Sequence, residues 1–174
     1  RRVLVPTNLH WSQHRRGERV NPAILELANH HEDTLFLIKT HPAHVPDDGF
    51  VRACPPNVQV LDELCCLFAD LDSARLVLAS DAVISTLSTV ALGAAVAGRP
   101  FIVHDSGNPN RYEHVATVAP EHLDRAYESL FTEPPDSQAF VDHYVASGTV
   151  GGATRAVFAA IADEVPGASP SAPG

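Results

Sequence analysis

SDAVISTLSTVALGAAVAGRPFIV, residues 80–103, is the stretch of this chain that most strongly indicates its fold. A short apolar run, Ala82-Val83-Ile84, is followed by a Ser/Thr turn and an Ala-rich helical segment. Gly98 and Pro100 then supply the glycine and the proline that commonly end a helix. A second apolar run, Phe101-Ile102-Val103, follows at once. Strand, helix and strand in this order predict a βαβ unit with two parallel strands.

The same alternation of short apolar runs and helical patterns extends to both sides of this stretch. It predicts four further strands, at Val3–Val5, Leu35–Ile38, Val58–Leu61 and Ala116–Val118. Helices are predicted from about Pro22, at 72–79 with Asp72 as the cap, and at 120–131, 137–146 and 152–164. The Pro/Asp/Gly-rich segment between the second and third strands is predicted to be a loop. We therefore expect an open, mainly parallel Rossmann-like α/β sheet of about six strands with helices on both faces.

Length and composition limit the number of domains. A chain of 174 residues that is 45% hydrophobic is long enough for one domain with a buried core. We assign residues 1–165 to this domain. Residues 166–174 contain only Pro, Gly, Ser and Ala and are predicted to be a disordered tail. The chain opens on Arg1-Arg2 without an initiator Met, and we interpret it as a fragment of a longer protein.

Charge and cysteine content exclude several classes of function. The net charge is −9 and Lys and Arg form no block, so a nucleic-acid partner is not expected. Three cysteines without metal or redox spacing are typical of reduced thiols, which indicates a cytoplasmic protein. Ten histidines include the spaced pairs His10/His14 and His41/His44, but no carboxylate completes a ligand set, so no metal is predicted. His30 and His31 are expected to point apart. The chain also has no G-x-S-x-G nucleophile motif.

Polar residues cluster after several of the predicted strands. Ligands of open parallel sheets bind outside the carboxyl ends of the strands, so these loops are candidate site segments. Chain turns are polar in any protein, which leaves a plain surface role open. The segments are residues 7–14, 39–44, 85–89 and 104–113.

The loop at residues 85–89 is the sharpest candidate because it joins a buried strand to a helix N-terminus. Free backbone N–H groups and the helix dipole favour an anion there, and Ser88 and Thr89 carry hydroxyls that can reach a phosphate. The alternative is that either residue only caps the helix. Lys39 and His41 can approach a diphosphate from the side. Their alternatives are a solvated strand end for Lys39 and a structural hydrogen bond for His41.

Two segments of the chain resemble a known enzyme family. Residues 80–103 resemble the "asDvvIs-x-S-S…EA…GkPvi" block of GT-B glycosyltransferases, which lies in their C-terminal, donor-binding domain. Lys39-Thr40-His41-Pro42 is similar to the K/R-x-HP segment of bacterial capsule and teichoic-acid transferases of the CDP-glycerol type. Sugar-nucleotide 2-epimerases share the same order of domains. The resemblance covers residues 3 to about 118.

The resemblance implies the donor-binding half of a nucleotide-sugar-dependent glycosyltransferase for surface polysaccharides. The unit transferred to an acceptor hydroxyl would be a sugar or glycerol phosphate. The donor, linked to a nucleoside diphosphate or to CMP or CDP, is a substrate, so no cofactor is expected. The catalytic residues are not identified. The candidate donor-binding residues are Thr7, Asn8, Lys39, His41, Ser85, Thr86, Ser88, Thr89, Asp105 and Asn108.

The resemblance also implies partners that this chain lacks. Acceptor site and general base would come from a missing N-terminal domain, so the isolated chain is expected to be inactive. Other parts of the full protein would provide any peripheral contact with a membrane. One departure from the family pattern is Gly93, which stands where the family often has a ribose-binding Glu. Two alternatives stay open: a sugar-nucleotide 2-epimerase, and a non-catalytic module that binds a nucleotide or a protein.

Overall fold

The structure is a computed structural model, and it describes residues 1–7, 22–42, 48–105, 107, 110–134 and 136–145. Some of the predictions fall outside these ranges. They concern Asn8, Asn108, the helix at 152–164, the tail at 166–174, and the histidine pairs that involve His10, His14 and His44.

Six strands form one parallel sheet, which confirms the predicted fold class. Their order across the sheet is β3-β2-β1-β4-β5-β6. The strands are β1 (Arg2–Pro6), β2 (Leu35–Lys39), β3 (Val58–Leu61), β4 (Ala82–Ser85), β5 (Phe101–His104) and β6 (Thr117–Val118). The order reverses direction between β1 and β4, which pair directly with each other. This point is the topological switch at which doubly wound sheets bind their ligands.

Helices connect the strands on both faces of the sheet. In the described part of the chain they are α1 (Pro22–His30), α2 (Asp48–Ala53), α3 (Glu63–Phe68), α4 (Ser73–Ala79), α5 (Thr89–Val96), α6 (Leu123–Leu130) and α7 (Gln138–Tyr144). A short 3₁₀ turn, Pro120–His122, leads into α6. The carboxylate of Asp72 accepts a 2.7 Å hydrogen bond from the Arg75 N–H, so Asp72 is the predicted cap of α4. None of the described helices is long and apolar enough to cross a bilayer.

Two helices were not predicted from the sequence. In α2 no residue is buried, so no inward apolar stripe marks it. In α3 the only buried residue is Cys66, while Leu64, Leu67 and Phe68 are exposed. The apolar pattern of α3 therefore does not face the core, and the sequence gives no helical periodicity to detect. Its start is nevertheless well defined, because the Asp62 carboxylate accepts a 2.6 Å hydrogen bond from the Cys65 N–H.

The core consists of two apolar layers, one on each face of the sheet. Side chains of a strand alternate between faces, so Val3 and Val5 contact one layer and Leu4 the other. The first layer packs against α1 and α6 through Ile24 and Tyr127. The second layer packs against α3, α4, α5 and α7. Small residues of α5 (Ala91, Ala94 and Ala95) lie buried in it, so α5 packs close to the sheet.

The prediction that His30 and His31 point apart is wrong. Nδ1 of His30 and Nε2 of His31 lie 3.4 and 3.0 Å from the same atom, Oδ1 of Asp124 in α6. α1 ends at His30, so His31 lies outside the helix. Its side chain is therefore not rotated away from that of His30 as it would be within a helix. The pair thereby ties the end of α1 to α6.

Candidate functional site

A cleft of about 320 Å³ lies at the carboxyl ends of β1 and β2, in front of the N-terminus of α5. This position is beside the switch between β1 and β4, where the strand order predicts a ligand. The cleft combines polar side chains from three separate predicted segments. Its lining residues are Pro6, Thr7, Lys39, Thr40, His41, Pro42, Ser73, Leu87, Ser88, Thr89 and Val90.

The parallel pairing of β1 and β2 brings Thr7 and His41 together. Pro6 pairs with Lys39 in the register, so the residues that follow both strands leave the sheet side by side. The Thr7 N–H donates to the Lys39 carbonyl at 2.9 Å, and the His41 N–H donates to Thr7 Oγ1 at 3.0 Å. The structural hydrogen bond considered for His41 is therefore made by its backbone. These bonds fix one wall of the cleft.

Lys39 contributes a positive charge to this wall. Its side chain is only 10% exposed, and Nζ lies 3.5 Å from Oε2 of Glu63, the first residue of α3. The alternative of a solvated strand end is therefore wrong. Removing an ammonium from water is costly unless an anion is near, so Lys39 must keep an anionic partner. Because the Glu63 side chain is half exposed and its contact is long, a second anion in the cleft can share this partner role.

The opposite wall is the turn between β4 and α5. Ser88 is the N-cap residue of α5, but its side chain makes no capping hydrogen bond. Its hydroxyl instead shares a 2.8 Å hydrogen bond with the hydroxyl of Ser85, which is buried at the end of β4. The alternative that the Ser88 side chain only caps the helix is thus wrong. The first N–H groups of a helix point along its axis without intrahelical partners, so this end of α5 attracts anions.

Tyr112 supports this turn from the segment after β5. Its hydroxyl donates to the Ser88 carbonyl at 2.7 Å, while its ring packs edge-on against Phe140 of α7. Burial raises the pKa of the Tyr112 hydroxyl above its usual range, so the group stays a neutral donor. Sequence reasoning did not identify Tyr112, because 24 residues separate it from Ser88 and no local pattern connects them.

Three of the predicted site residues do not line the cleft: Ser85, Thr86 and Asp105. Ser85 and Thr86 are fully buried, beneath the wall that Ser88 forms. Asp105 accepts hydrogen bonds from Arg111 Nη2 at 2.9 Å and from the Gly107 N–H at 2.7 Å. These contacts hold Asp105 against Gly107 and Arg111, as in the alternative of a plain turn. Asp105 lines a separate small recess with Arg111 and the buried His104. The donor-binding roles of these three residues stay predictions.

His104 ends β5 and is only 1% exposed. Burial lowers the pKa of its imidazole from 6.5 to about 4, against the opposing effects of the hydrogen bond to the Asp105 backbone and of the Asp105 charge. The residue is therefore neutral near pH 7 and contributes no positive charge to the site region.

Gly93 lies one helical turn after Thr89, on the side of α5 that continues the cleft lining. A Cβ atom built at this exposed glycine meets no other atom within 4 Å. Position 93 therefore accepts a Cβ atom, as the side chain that the resemblance leads one to expect there would require.

Comparisons with known proteins find similarity in structure alone. No protein-family profile and no curated protein sequence matches the chain. Among solved structures, it is similar to a UDP-GlcNAc 2-epimerase from Neisseria meningitidis bound to UDP-GlcNAc, with a TM-score of 0.60, 16% identity, and 93% of this chain and 44% of that chain covered. A second match is the spinosyn forosaminyltransferase SpnP, with a TM-score of 0.58, 16% identity, and coverages of 92% and 43%.

A third match is the wall teichoic acid polymerase TagF, with a TM-score of 0.50, 18% identity, and coverages of 94% and 43%. The chain therefore spans less than half the length of these structures. At identities this low the similarity shows the fold alone, and the agreement over nearly the whole chain defines that architecture. The chain has the fold of one Rossmann-like half of the GT-B enzymes.

Proposed function

We propose that this chain is the donor-binding half of a nucleotide-sugar-dependent glycosyltransferase. The observation that carries the proposal is the cleft at the switch point. Lys39, His41 and the N-terminus of α5 all border it. Lys39 and His41 line one wall and Ser88 and Thr89 the other. This combination of charge and N–H donors matches a nucleoside diphosphate.

In the proposed reaction the donor's glycosidic or phosphate bond to the nucleotide breaks as the acceptor hydroxyl attacks. Negative charge develops on the departing phosphate oxygen. The N-terminus of α5, the Ser88 hydroxyl and Lys39 would stabilise this added charge, and so bind the transition state more strongly than the donor before reaction. Removing one preorganised donor of this kind typically lowers the reaction rate by a factor on the order of 10²–10³. The nucleotide is released as a product, so no resident cofactor is part of the proposal.

The acceptor and the general base would come from outside this chain. All four loops that carry candidate residues belong to one half of the architecture, and the chain spans less than half of the solved structures that it matches. We therefore propose that the isolated chain binds donor but does not transfer it. Transfer of a sugar or glycerol phosphate by the isolated chain would contradict this part of the proposal.

Surface-polymer synthesis is the proposed setting. It is supported by the Lys39-Thr40-His41-Pro42 segment, which lies at the cleft, and by the match to a wall teichoic acid polymerase. A cytoplasmic location and membrane attachment through other parts of the full protein belong to the same proposal, because nucleotide donors are cytoplasmic.

A second candidate is a sugar-nucleotide 2-epimerase. The observation that favours it is the TM-score of 0.60 to the Neisseria meningitidis enzyme, with UDP-GlcNAc bound. An epimerase changes its donor without an acceptor. Product analysis of the full-length protein therefore separates the two candidates: a new epimer formed from donor alone indicates the epimerase, and acceptor-dependent release of nucleotide indicates the transferase. A full-length protein that binds a donor without converting it would instead indicate a non-catalytic module.

Thermal stabilisation of this chain by CDP, UDP, GDP, CMP and their sugar or glycerol conjugates tests donor binding. We expect one base to give the largest shift, and Ser88→Ala and His41→Ala to reduce it, because both residues line the cleft. Matched controls are Ser129→Ala and His122→Ala, on the remote α6 side, which should keep the shift. Equal shifts in the cleft variants and the controls would contradict the proposed site.

A further inference from the structure

Three side chains with metal-binding atoms converge away from the cleft. Glu113 and His114 lie in the segment between β5 and β6, and His143 lies in the last turn of α7. One ligand atom from each residue lies within 4.8 Å of the others. Nε2 of His143 is 3.8 Å from Oε2 of Glu113, and the two imidazole rings are centred 5.1 Å apart. About thirty residues separate the two segments, so this convergence is a product of the fold.

The donor set is that of a borderline transition metal. Two imidazole nitrogens and one carboxylate oxygen suit Zn²⁺, whereas Mg²⁺ and Ca²⁺ prefer oxygen ligands throughout. Tetrahedral Zn²⁺ with bonds of about 2.0–2.1 Å places its ligand atoms roughly 3.3–3.5 Å apart. The widest of these separations must therefore shorten by up to about 1.5 Å, which side-chain rotation can provide because all three residues are exposed.

The backbone around the cluster is held in place by neighbouring contacts. The Glu113 N–H donates to the Tyr144 hydroxyl at 2.9 Å, and the Tyr144 ring packs edge-on against Tyr112 at 5.2 Å. His114 has φ +64°, a conformation that residues other than glycine seldom adopt. The hydrogen bond and the ring contact thus join the two segments, and rotation of the three exposed side chains would close the site.

The other histidine cluster does not offer such a site. One ring nitrogen of His30 and one of His31 lie within hydrogen-bond distance of the same oxygen of Asp124, so the two imidazoles share that atom. A metal needs three separate ligand atoms that face a common point. In the described ranges only the cluster at Glu113 meets that geometric condition.

We propose that Glu113, His114 and His143 form a binding site for a divalent transition-metal ion of the Zn²⁺ class, which pins the end of α7 to the segment after β5. Three protein ligands leave one position of a tetrahedral ion for water. The ion would brace the same segment that carries Tyr112 to the Ser88 carbonyl. The proposal rests on the cluster's geometry and is independent of the proposed transferase activity.

Titration of the whole chain with Zn²⁺ by calorimetry, and with Co²⁺ by absorption spectroscopy, tests the site. We expect one equivalent to bind with the visible spectrum of a tetrahedral Co²⁺ ion and no thiolate charge-transfer band. His114→Asn and His143→Gln should each weaken binding by at least about tenfold, since each removes a ligand. Asn is chosen at 114 because it tolerates the left-handed backbone.

His122→Gln serves as the control, because His122 is an exposed histidine of the 3₁₀ turn. It should bind as the unaltered chain does, and circular dichroism should show that all variants stay folded. Failure of the unaltered chain to bind Zn²⁺ would overturn the proposal. Equal binding in the His114 and His143 variants would also overturn it, as would a thiolate band, which would assign the metal to Cys54, Cys65 or Cys66.

Discussion

Nζ of Lys39 lies 3.5 Å from Oε2 of Glu63 at the edge of the cleft, with the lysine side chain buried and the glutamate half exposed. Lys39 lines both the cleft at the switch point and the neighbouring recess that Glu63 also lines. The carboxylate thus holds the lysine in place, and it would compete with any anion that enters the cleft.

Substitution at either end of this pair should change nucleotide affinity in opposite directions. Lys39→Met keeps the length of the side chain but removes the charge, so we expect binding to weaken by roughly tenfold or more. Glu63→Gln removes the competing anion and should tighten binding about two- to fivefold. Calorimetric titration with the best nucleotide of the panel measures both changes. If Glu63→Gln weakens binding as much as Lys39→Met, the competition described above is wrong.

Gly93→Ala should stabilise the chain by about 0.5–1 kcal/mol, because alanine is the better helix former and its Cβ meets no neighbour. Urea unfolding at neutral pH measures the gain. Gly98→Ala is the matched control: Gly98 has φ +64°, so the same substitution there should destabilise the chain. A loss of stability on Gly93→Ala would contradict the open environment of this position.

Gly93→Glu should strengthen nucleotide binding relative to Gly93→Ala. The added carboxylate would occupy the position that the resemblance assigns to ribose recognition, one turn beyond Thr89. A hydrogen bond of this kind contributes about 1 kcal/mol, which is roughly fivefold in affinity. Comparison of the two variants by titration separates the carboxylate from the change in helix stability. Equal affinity in both would indicate that position 93 does not reach the ribose.

The stability of the chain should fall as pH drops because of His104. Its pKa is lowered to about 4 in the folded state from 6.5, so the unfolded state binds more protons between these values. Stability is therefore fully present above pH 6.5 and decreases as pH falls towards 4. Between pH 7 and pH 5 the loss from this residue is about 2 kcal/mol. Urea unfolding at both pH values should show this loss reduced in His104→Gln. An identical pH dependence in both proteins would contradict the assignment.

Tyr112→Phe should weaken both the fold and the proposed nucleotide site. The variant loses the 2.7 Å bond to the Ser88 carbonyl and keeps the ring packing on Phe140, so about 1 kcal/mol of stability is lost. We also expect weaker nucleotide binding, since the turn before α5 is less firmly held. Tyr127→Phe is the control, because it removes a hydrogen bond to Thr34 on the α1 side, away from the cleft. Nucleotide affinity that falls equally in both variants would indicate a general loss of stability.

The sequence predicted the sheet well because buried parallel strands are short, apolar and bounded by turn residues. It also indicated that the loops after the strands lie along one edge of the sheet, since parallel strands have their carboxyl ends at the same edge. Thr7, His41 and Ser88 came together for this reason. The sequence did not predict α3, because Leu64, Leu67 and Phe68 are exposed. It did not predict α2, because none of the residues of that helix is buried.

Contacts between distant segments were not accessible from the sequence. Lys39 and Glu63 are 24 residues apart, and only the start of α3 beside β2 brings them into contact. Tyr112 reaches Ser88 over the same separation, and Glu113 meets His143 across thirty residues. Local patterns report which face of an element is buried. The pairing of individual polar side chains depends on how whole elements pack, which those patterns do not encode.

The most direct test of the proposal that this cleft binds a nucleotide donor is a crystal structure of this chain soaked with the nucleoside diphosphate that stabilises it most. We predict that the diphosphate lies between Lys39 and the N-terminus of α5, within hydrogen-bond distance of the Ser88 hydroxyl and the first backbone N–H groups of the helix. A nucleotide bound elsewhere on the sheet, or crystals that take up none of the nucleotides, would contradict the account.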